Sequence, residues 1–293
     1  MNNQINGQII KINSNLILVL IENNQVITCK LKGILKYKND NPICRPLVGD
    51  YVQVTFINNE FIINKIYKRK NYLIRPSIAN IDTIIIVQST KEPDFNFNLI
   101  MKFLAYYETF INEVIIIISK MDLINSDDEN HQINFYKKIF TNQKYKIFCL
   151  PNENELLELK NFLSNKTFCF VGNSGVGKST IINSIIPNIK LKTQEISYSL
   201  NRGKHTTTSS QIIINNNYKL IDTPGFSSFD IKLINKNQLA NSYKAFYEFS
   251  NNCKFSNCLH LNEQNCAIKK AVIEKKIDKF FYDEYLKILK IIN

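Results

Sequence analysis

The chain has 293 residues, 44% of them hydrophobic and 21% charged, which are the proportions of a globular protein with room for two or three domains that each bury a core. The formal net charge is +12, but residues 1–72 hold 10 Lys/Arg against 4 Asp/Glu and residues 269–293 hold 7 against 4, so the middle carries only +3 and the two flanks are the surfaces suited to a polyanion such as nucleic acid. Met1-Asn2-Asn3-Gln4 has neither part of a signal peptide, and the apolar runs near Leu16–Ile21 and Val114–Ile118 are too short for a bilayer, so a cytoplasmic protein without membrane contact is expected.

Residues 1–70 read as short strands. Gly7–Ile12, Leu16–Ile21, Gln25–Leu31, Tyr51–Phe56 and Phe61–Ile66 are rich in Ile, Val and Phe and are separated by Asn, Gly and Asp turns. Five such strands suit a small closed barrel of the OB type. Lys68-Arg69-Lys70 and Pro76 mark its exit. From Ile81 strands alternate with helices, the signature of a mostly parallel sheet. Ile81–Gln88, Val114–Ser119, Lys146–Leu150 and Thr167–Val171 are predicted as buried strands, while Phe97–Thr109 and Ser179–Ile186 are predicted as helices. Gln211–Asn215 and Tyr218–Ile221 form a predicted hairpin across Asn216-Asn217. After Phe229 the chain turns helical and ends in one amphipathic helix over Ala267–Ile292. The expected domains are therefore 1–70, 71–229 and 230–293.

Only 8 glycines occur, and five of them (Gly172, Gly175, Gly177, Gly203, Gly225) fall within 54 residues. Gly172-Asn173-Ser174-Gly175-Val176-Gly177-Lys178-Ser179 fits the P-loop pattern, set between a buried strand and a helix. Such a loop wraps backbone N–H groups and the start of a helix around phosphates. Lys178 then reaches the β- and γ-phosphates, Ser179 ligates Mg²⁺, and Thr180 continues the wall. Asp222-Thr223-Pro224-Gly225 follows the apolar Leu220-Ile221 and reads as a Walker B aspartate with a γ-phosphate-sensing glycine. Between them, Arg202-Gly203-Lys204-His205-Thr206-Thr207-Thr208 suits a switch segment in which a threonine, Thr207 being the central one, closes over Mg²⁺.

Ser119-Lys120-Met121-Asp122 resembles the N/T-K-x-D motif that selects guanine. Its carboxylate accepts from guanine N1–H and the 2-amino group together, which adenine cannot offer. Ser stands where Asn is usual, and the motif precedes the P-loop instead of following it. Because the site is built from loops at the carboxyl ends of parallel strands, rejoining the chain elsewhere leaves those loops in place. The base-cradling segment belongs near Cys149–Glu153, where no S-A-K-like signature stands. Further on, Cys253, Cys258, His260 and Cys266 supply a complete tetrahedral Zn²⁺ set within 14 residues, with no position left open for catalysis. Cys29, Cys44, Cys149 and Cys169 are scattered, as reduced thiols are.

Taken together, these motifs resemble the circularly permuted GTPases of the small-ribosomal-subunit assembly family RsgA. The resemblance extends over nearly the whole chain. It includes Val48-Gly49-Asp50, Leu73-Ile74-Arg75-Pro76-Ser77-Ile78-Ala79-Asn80-Ile81-Asp82, the Ser119–Asp122 motif, the P-loop, Gly203–Thr208, Asp222–Gly225 and Cys253–His260. Membership implies an α/β P-loop NTPase core with permuted order, an N-terminal OB barrel, and a C-terminal α-helical domain holding one structural Zn²⁺. It also implies a monomer that binds GTP and GDP with Mg²⁺. Its partners would be the 30S subunit and its 16S rRNA, in late 30S maturation, and the subunit would stimulate hydrolysis. Phe226 stands where Ras-like enzymes keep a water-positioning Gln. In this family the residue before the switch threonines, His205 here, is the candidate for that catalytic role. The competing readings are a GTP-gated RNA-binding module without meaningful turnover, and an ATPase, against which Asp122 argues.

Overall fold

Apolar residues at alternate positions, interrupted by Asn and Gly turns, build the first five strands: β1 (Gln4–Asn13), β2 (Leu16–Ile21), β3 (Val26–Leu31), β4 (Tyr51–Ile57) and β5 (Glu60–Ile66). Two short strands follow, β6 (Tyr72–Leu73) and β7 (Ile78–Ala79). The alternating region then runs β8 (Thr83–Ser89), α1 (Phe97–Glu108), β9 (Val114–Ser119), α2 (Asp127–Asn142), β10 (Ile147–Cys149), α3 (Glu153–Leu163), β11 (Thr167–Val171) and α4 (Lys178–Ile185). The hairpin β12 (Gln211–Asn215) and β13 (Tyr218–Asp222) leads to four helices, α5 (Lys236–Ala240), α6 (Lys244–Ser250), α7 (Ala267–Ile273) and α8 (Lys279–Ile291). The computed structural model describes residues 4–13, 16–32, 45–74, 76–186, 210–223 and 231–292.

The chain forms two units. The first comprises residues 1–82, 163–169 and 194–226, the second residues 83–162, 170–193 and 227–293. In the first, β1 pairs antiparallel with β2 and β4, β2 with β3, β3 runs parallel to β5, and β5 returns to β4. This closed ring of five strands is the expected OB topology. It encloses Ile9, Ile17, Val19, Cys29, Val52, Val54 and Ile63, all buried. A bulge in β1 between Ile9 and Lys11 turns the strand, and Lys11 then faces Gln211 of β12. Strand β12 pairs antiparallel with β13, which runs parallel to β11.

The motif Val48-Gly49-Asp50 earns its residues at the foot of the barrel. Gly49 has φ +100°, and a Cβ there would sit 2.1 Å from the Ala79 carbonyl oxygen, so only glycine lets the loop approach β7. Asn80 Nδ2 donates to the Gly49 carbonyl at 2.9 Å. The fully buried Asp50 carboxylate receives Arg69 Nε at 2.7 Å and Nη2 at 2.9 Å, plus the Leu47 amide at 2.7 Å. Removing one member would leave a buried charge unpaired, at a cost of about 3–5 kcal/mol.

In the second unit β8, β9 and β10 lie side by side and parallel, every residue of β8 and β9 buried. That burial explains their unbroken apolar runs. Helices α1 and α2 pack with α8 through an aromatic cluster in which Phe97 meets Phe140 at 4.4 Å and Phe280 at 5.0 Å. The Asn98 amide donates to Glu284 of α8 at 2.7 Å, and Tyr243 Oη donates to the Met101 carbonyl at 3.0 Å.

The C-terminal segment corrects the expectation of one helix over Ala267–Ile292. It breaks after Ile273, where Lys275 adopts a left-handed φ of 59°. The Lys275 and Lys276 amides then turn back onto the Val272 and Ala271 carbonyls. Ile277 is buried, and the Asp278 side chain caps α8 by accepting from the Phe280 amide at 2.8 Å. Continuous amphipathic spacing hid the stop because a lysine, not a glycine, takes the left-handed position.

Candidate nucleotide site and metal centre

Strand β11 ends at Val171 and the chain then turns through three glycines with positive φ, Gly172 at 142°, Gly175 at 82° and Gly177 at 86°. At Gly172 the reason is contact: a Cβ would lie 2.3 Å from the Val87 carbonyl oxygen, so the loop could not pass β8 with any side chain there. Gly177 heads α4, which leaves the amides of the first helical turn open to an anion. The Lys178 ammonium lies back over the loop, donating to the carbonyls of Gly172 at 2.8 Å and Asn173 at 2.5 Å. Ser179 is buried at the start of the helix.

Strand β9 delivers the second motif. Its last residue, Ser119, is buried and donates its hydroxyl to the Val176 carbonyl of the loop. Lys120 takes a left-handed φ of 57°, its carbonyl accepts from the Thr90 hydroxyl at 2.6 Å, and its ammonium donates to the Glu92 carbonyl. The Met121 amide then donates to the Leu150 carbonyl at 3.0 Å, so the turn carrying Asp122 hangs between the ends of β8 and β10.

These loops enclose a cavity of about 380 Å³ lined by Ser119, Lys120 and Asp122 on one side and by Gly177, Thr180 and Ile181 on the other. Leu150, Pro151, Asn152, Glu153 and Leu156 form its third wall. This wall falls where a base-cradling segment is expected, near Cys149–Glu153, although no S-A-K-like signature stands there. The wall here is an apolar Leu150-Pro151 step after β10, followed by Asn152, whose side chain accepts from the Glu155 amide at 3.0 Å as α3 begins. A flat apolar face of this kind suits an aromatic base. The remaining sequence candidates of this loop, Asn173, Ser174, Gly175 and Val176, make up the loop itself.

Asp222 ends β13 opposite Gln211, whose side-chain amide donates to its Oδ2 at 3.4 Å. Burial raises the Asp222 carboxyl above its ordinary range, while the Gln211 hydrogen bond and the Lys11 charge draw it back down. Its carboxylate oxygens are hard donors of the kind that Mg²⁺ takes. His205, Thr207 and Gly225, with Thr206, Thr208 and Phe226, lie outside the described residues.

Cys253, Cys258, His260 and Cys266 converge, with all four ligand atoms within 4.8 Å of one another. His260 Nδ1 stands 3.7 Å from Cys253 Sγ and 3.4 Å from Cys266 Sγ, while its Nε2 faces the Ala240 carbonyl at 3.3 Å. With Nε2–H donating to that carbonyl, Nδ1 is the nitrogen left to act as ligand. Glu263 accepts from the Leu259 and Leu261 amides, and Tyr282 and Tyr285 donate to the carbonyls of His260 and Leu259 at 2.5 Å each. Three thiols and one imidazole so arranged fit a closed, structural Zn²⁺ site. Burial pushes the Cys258 thiol up to about 12.

Comparisons with known proteins agree with this geometry. A family model described as RsgA GTPase matches residues 66–232. The small ribosomal subunit biogenesis GTPase RsgA of Malacoplasma penetrans is 51% identical over 241 residues, covering 82% of this chain and 84% of its own. Its counterpart in Ureaplasma urealyticum is 46% identical over 260 residues, 88% of this chain and 85% of its own. Among solved structures, that of YloQ, described as a circularly permuted GTPase, superposes with a TM-score of 0.78 at 32% identity, over 99% of this chain and 95% of that one.

Proposed function

Because the chain belongs to the RsgA GTPase family, we infer that it hydrolyses GTP and acts in biogenesis of the small ribosomal subunit. The observation that carries the chemical side of this reading is the cavity lined by Asp122 on one motif and by Gly177 and Thr180 on the other. A guanine-selecting carboxylate and a phosphate loop face one space, although 50 residues and a reversed order separate them in the chain.

In this reading Asp122 accepts two hydrogen bonds from guanine, and Leu150-Pro151 covers one face of the base. The amides of Gly175–Ser179 donate to phosphate oxygens, and Lys178 leaves the loop carbonyls for the β- and γ-phosphates. Ser179 and Asp222 would hold Mg²⁺, which screens phosphate charge during transfer. With Phe226 in the place of a water-positioning Gln, basal hydrolysis is slow. A partner then orients the attacking water, and His205 with Thr207 supplies the switch that closes. Zn²⁺ ties the loop from Cys253 to Cys266 and takes no part in the chemistry.

The partner surface is the basic barrel with the basic C-terminal helices, and the ligand is 16S rRNA on the 30S subunit. A monomer working in the cytoplasm suits this role, and no helix among the described residues is long and apolar enough to cross a membrane. The test is the GTP turnover rate of the full chain with purified small subunits, large subunits and neither. Strong stimulation by small subunits alone supports the reading. Nucleotide binding with no turnover under any condition would leave a GTP-gated RNA-binding module instead.

A further inference from the structure

Strand β1 does more than close the barrel. Beyond its bulge it pairs with β12 at Lys11 and Gln211. Three residues earlier, buried Gln8 accepts from the Lys219 ammonium of β13 at 3.3 Å, while its own amide donates to the Gly49 carbonyl at 3.2 Å. One barrel strand therefore grips both strands of the β12–β13 hairpin. At the open end of that hairpin Gln211 lies directly across from Asp222. Its amide donates to one carboxylate oxygen, Oδ2, at 3.4 Å.

A carboxylate on Cβ rotates in a broad, roughly two-fold well, so nothing intrinsic fixes which oxygen points outward. A donor anchored on the neighbouring strand does fix it, and leaves Oδ1 as the oxygen free to turn to another partner. Mg²⁺ is the ion most sensitive to this, because it demands near-octahedral geometry at short range. Hydrogen bonds that orient a ligand are commonly worth 10–100-fold in metal affinity.

We propose that Gln211 is a positioning residue for Asp222 and is itself held by barrel strand β1, so that the barrel sets the orientation of the carboxylate assigned to Mg²⁺. The inference rests on that assignment. It gives the barrel a direct mechanical route to the nucleotide chemistry: whatever docks on the barrel and shifts β1 is felt at Asp222 through one strand pairing and one hydrogen bond.

The experiment is a Mg²⁺ titration of full-length protein carrying a fluorescent, non-hydrolysable GTP analogue, with thermal unfolding as a check that each variant is folded. Gln211→Met keeps size and removes the donor. It should raise the half-saturating Mg²⁺ concentration at least threefold, and leave analogue affinity in EDTA unchanged. Asp222→Asn should raise it further, and the double variant should be no worse than Asp222→Asn alone. Lys219→Met, which cuts the second tie between β1 and the hairpin, should give a smaller shift in the same direction. A normal titration for Gln211→Met beside a shifted one for Asp222→Asn overturns the proposal. A normal titration for Lys219→Met overturns the barrel's part in it. If Asp222→Asn is itself normal, the Mg²⁺ assignment fails, and the proposal with it.

Discussion

Ser119 and Val176 are joined side chain to backbone at 2.6 Å although 57 residues separate them. The bond ties the end of β9, the segment proposed to read guanine, to the glycine-rich loop proposed to hold the phosphates. It also shows why the order of the motifs along the chain is immaterial: the loops meet at strand ends, whichever strand comes first. Serine suffices in place of asparagine because this duty needs one short donor.

Ser119→Ala should therefore weaken nucleotide binding without touching the nucleotide. The Val176 carbonyl is buried and would lose a partner, a cost of about 1–3 kcal/mol that falls on the loop's geometry. We expect GDP affinity to drop about tenfold, measured by fluorescence titration, with Ser119→Thr close to the parent. Equal affinity in Ser119→Ala would mean that the loop holds its shape unaided.

Asp122→Asn tests base selection. The new amide presents a donor where guanine offers its own N–H groups, so GTP binding should fall at least about tenfold, the worth of one charge-assisted hydrogen bond. Xanthosine triphosphate, with an oxygen at position 2, should bind the variant better than it binds the parent. A variant that keeps GTP preference would remove Asp122 from the base site.

Glu108 gives the fold a pH dependence. At the end of α1 its Oε2 accepts from Tyr145 Oη at 2.9 Å and from the Lys244 amide at 3.0 Å. Burial nevertheless raises its carboxyl from 4.5 to about 7, outweighing those donors. Between these values the folded chain holds a proton that the unfolded chain has released. The corresponding stabilisation is complete below about 4.5 and is lost as pH rises through about 7, up to about 3 kcal/mol in all. Glu108→Gln, whose single carbonyl oxygen can accept both donors, should flatten this slope and be the more stable protein at pH 8.5. Urea midpoints at pH 6 and 8.5 decide it, and a parent whose midpoint does not fall with pH refutes the assignment.

Much of this was legible in the residues, and for physical reasons. Buried strands such as Val114–Ser119 and Thr167–Val171 announce themselves because both faces are covered, and their limits agree with those read from the pattern. The P-loop is legible because Gly172 and Gly177 answer to backbone geometry that tolerates no substitute. Helix α2 was not visible: only Ile133, Ile139 and Phe140 are buried in its sixteen residues, too few for a clear period. The third wall of the cavity lies where the order of motifs places a base-cradling segment, near Cys149–Glu153, but it carries no signature in the sequence. Leu150 and Pro151 contribute shape rather than chemistry, and shape has no spacing rule. The break at Lys275 escaped because it is made by backbone turns onto Ala271 and Val272 without a glycine.

The zinc centre should yield one Zn²⁺ per chain by elemental analysis of protein prepared without chelators. Cys266→Ser should lose the metal and open the loop from Cys253 to Cys266 to protease. Affinity for GDP should change little, because none of the residues lining the nucleotide cavity belongs to that loop. Metal-free protein with an intact loop would show that the four groups are held by packing alone.

The last prediction concerns the partner, and the fold changes how it should be tested. Removing the whole barrel would strip β1 from β12 and disturb the Asp222 hairpin, so loss of stimulation by small subunits would be ambiguous. Neutralising exposed barrel lysines is cleaner. Lys32, Lys65 and Lys68 are exposed on that unit, and the basic excess of residues 1–72 concentrates positive potential there. If each lysine meets a phosphate of 16S rRNA, binding releases counterions, and the logarithm of affinity falls linearly with the logarithm of salt, about 0.7–0.9 per contact. Replacing all three by alanine should lower that slope by roughly two and weaken binding to small subunits most at low salt. GTP-analogue binding in the absence of ribosomes should be unaffected, since none of the three lines the cavity. Sedimentation with purified 30S and 50S subunits at several salt concentrations, with the non-hydrolysable analogue or GDP, measures all of this at once. We expect preference for 30S, tighter binding with the analogue, and a shallower salt dependence in the variant. An unchanged slope would move the rRNA contact off the barrel to the other basic flank, residues 269–293.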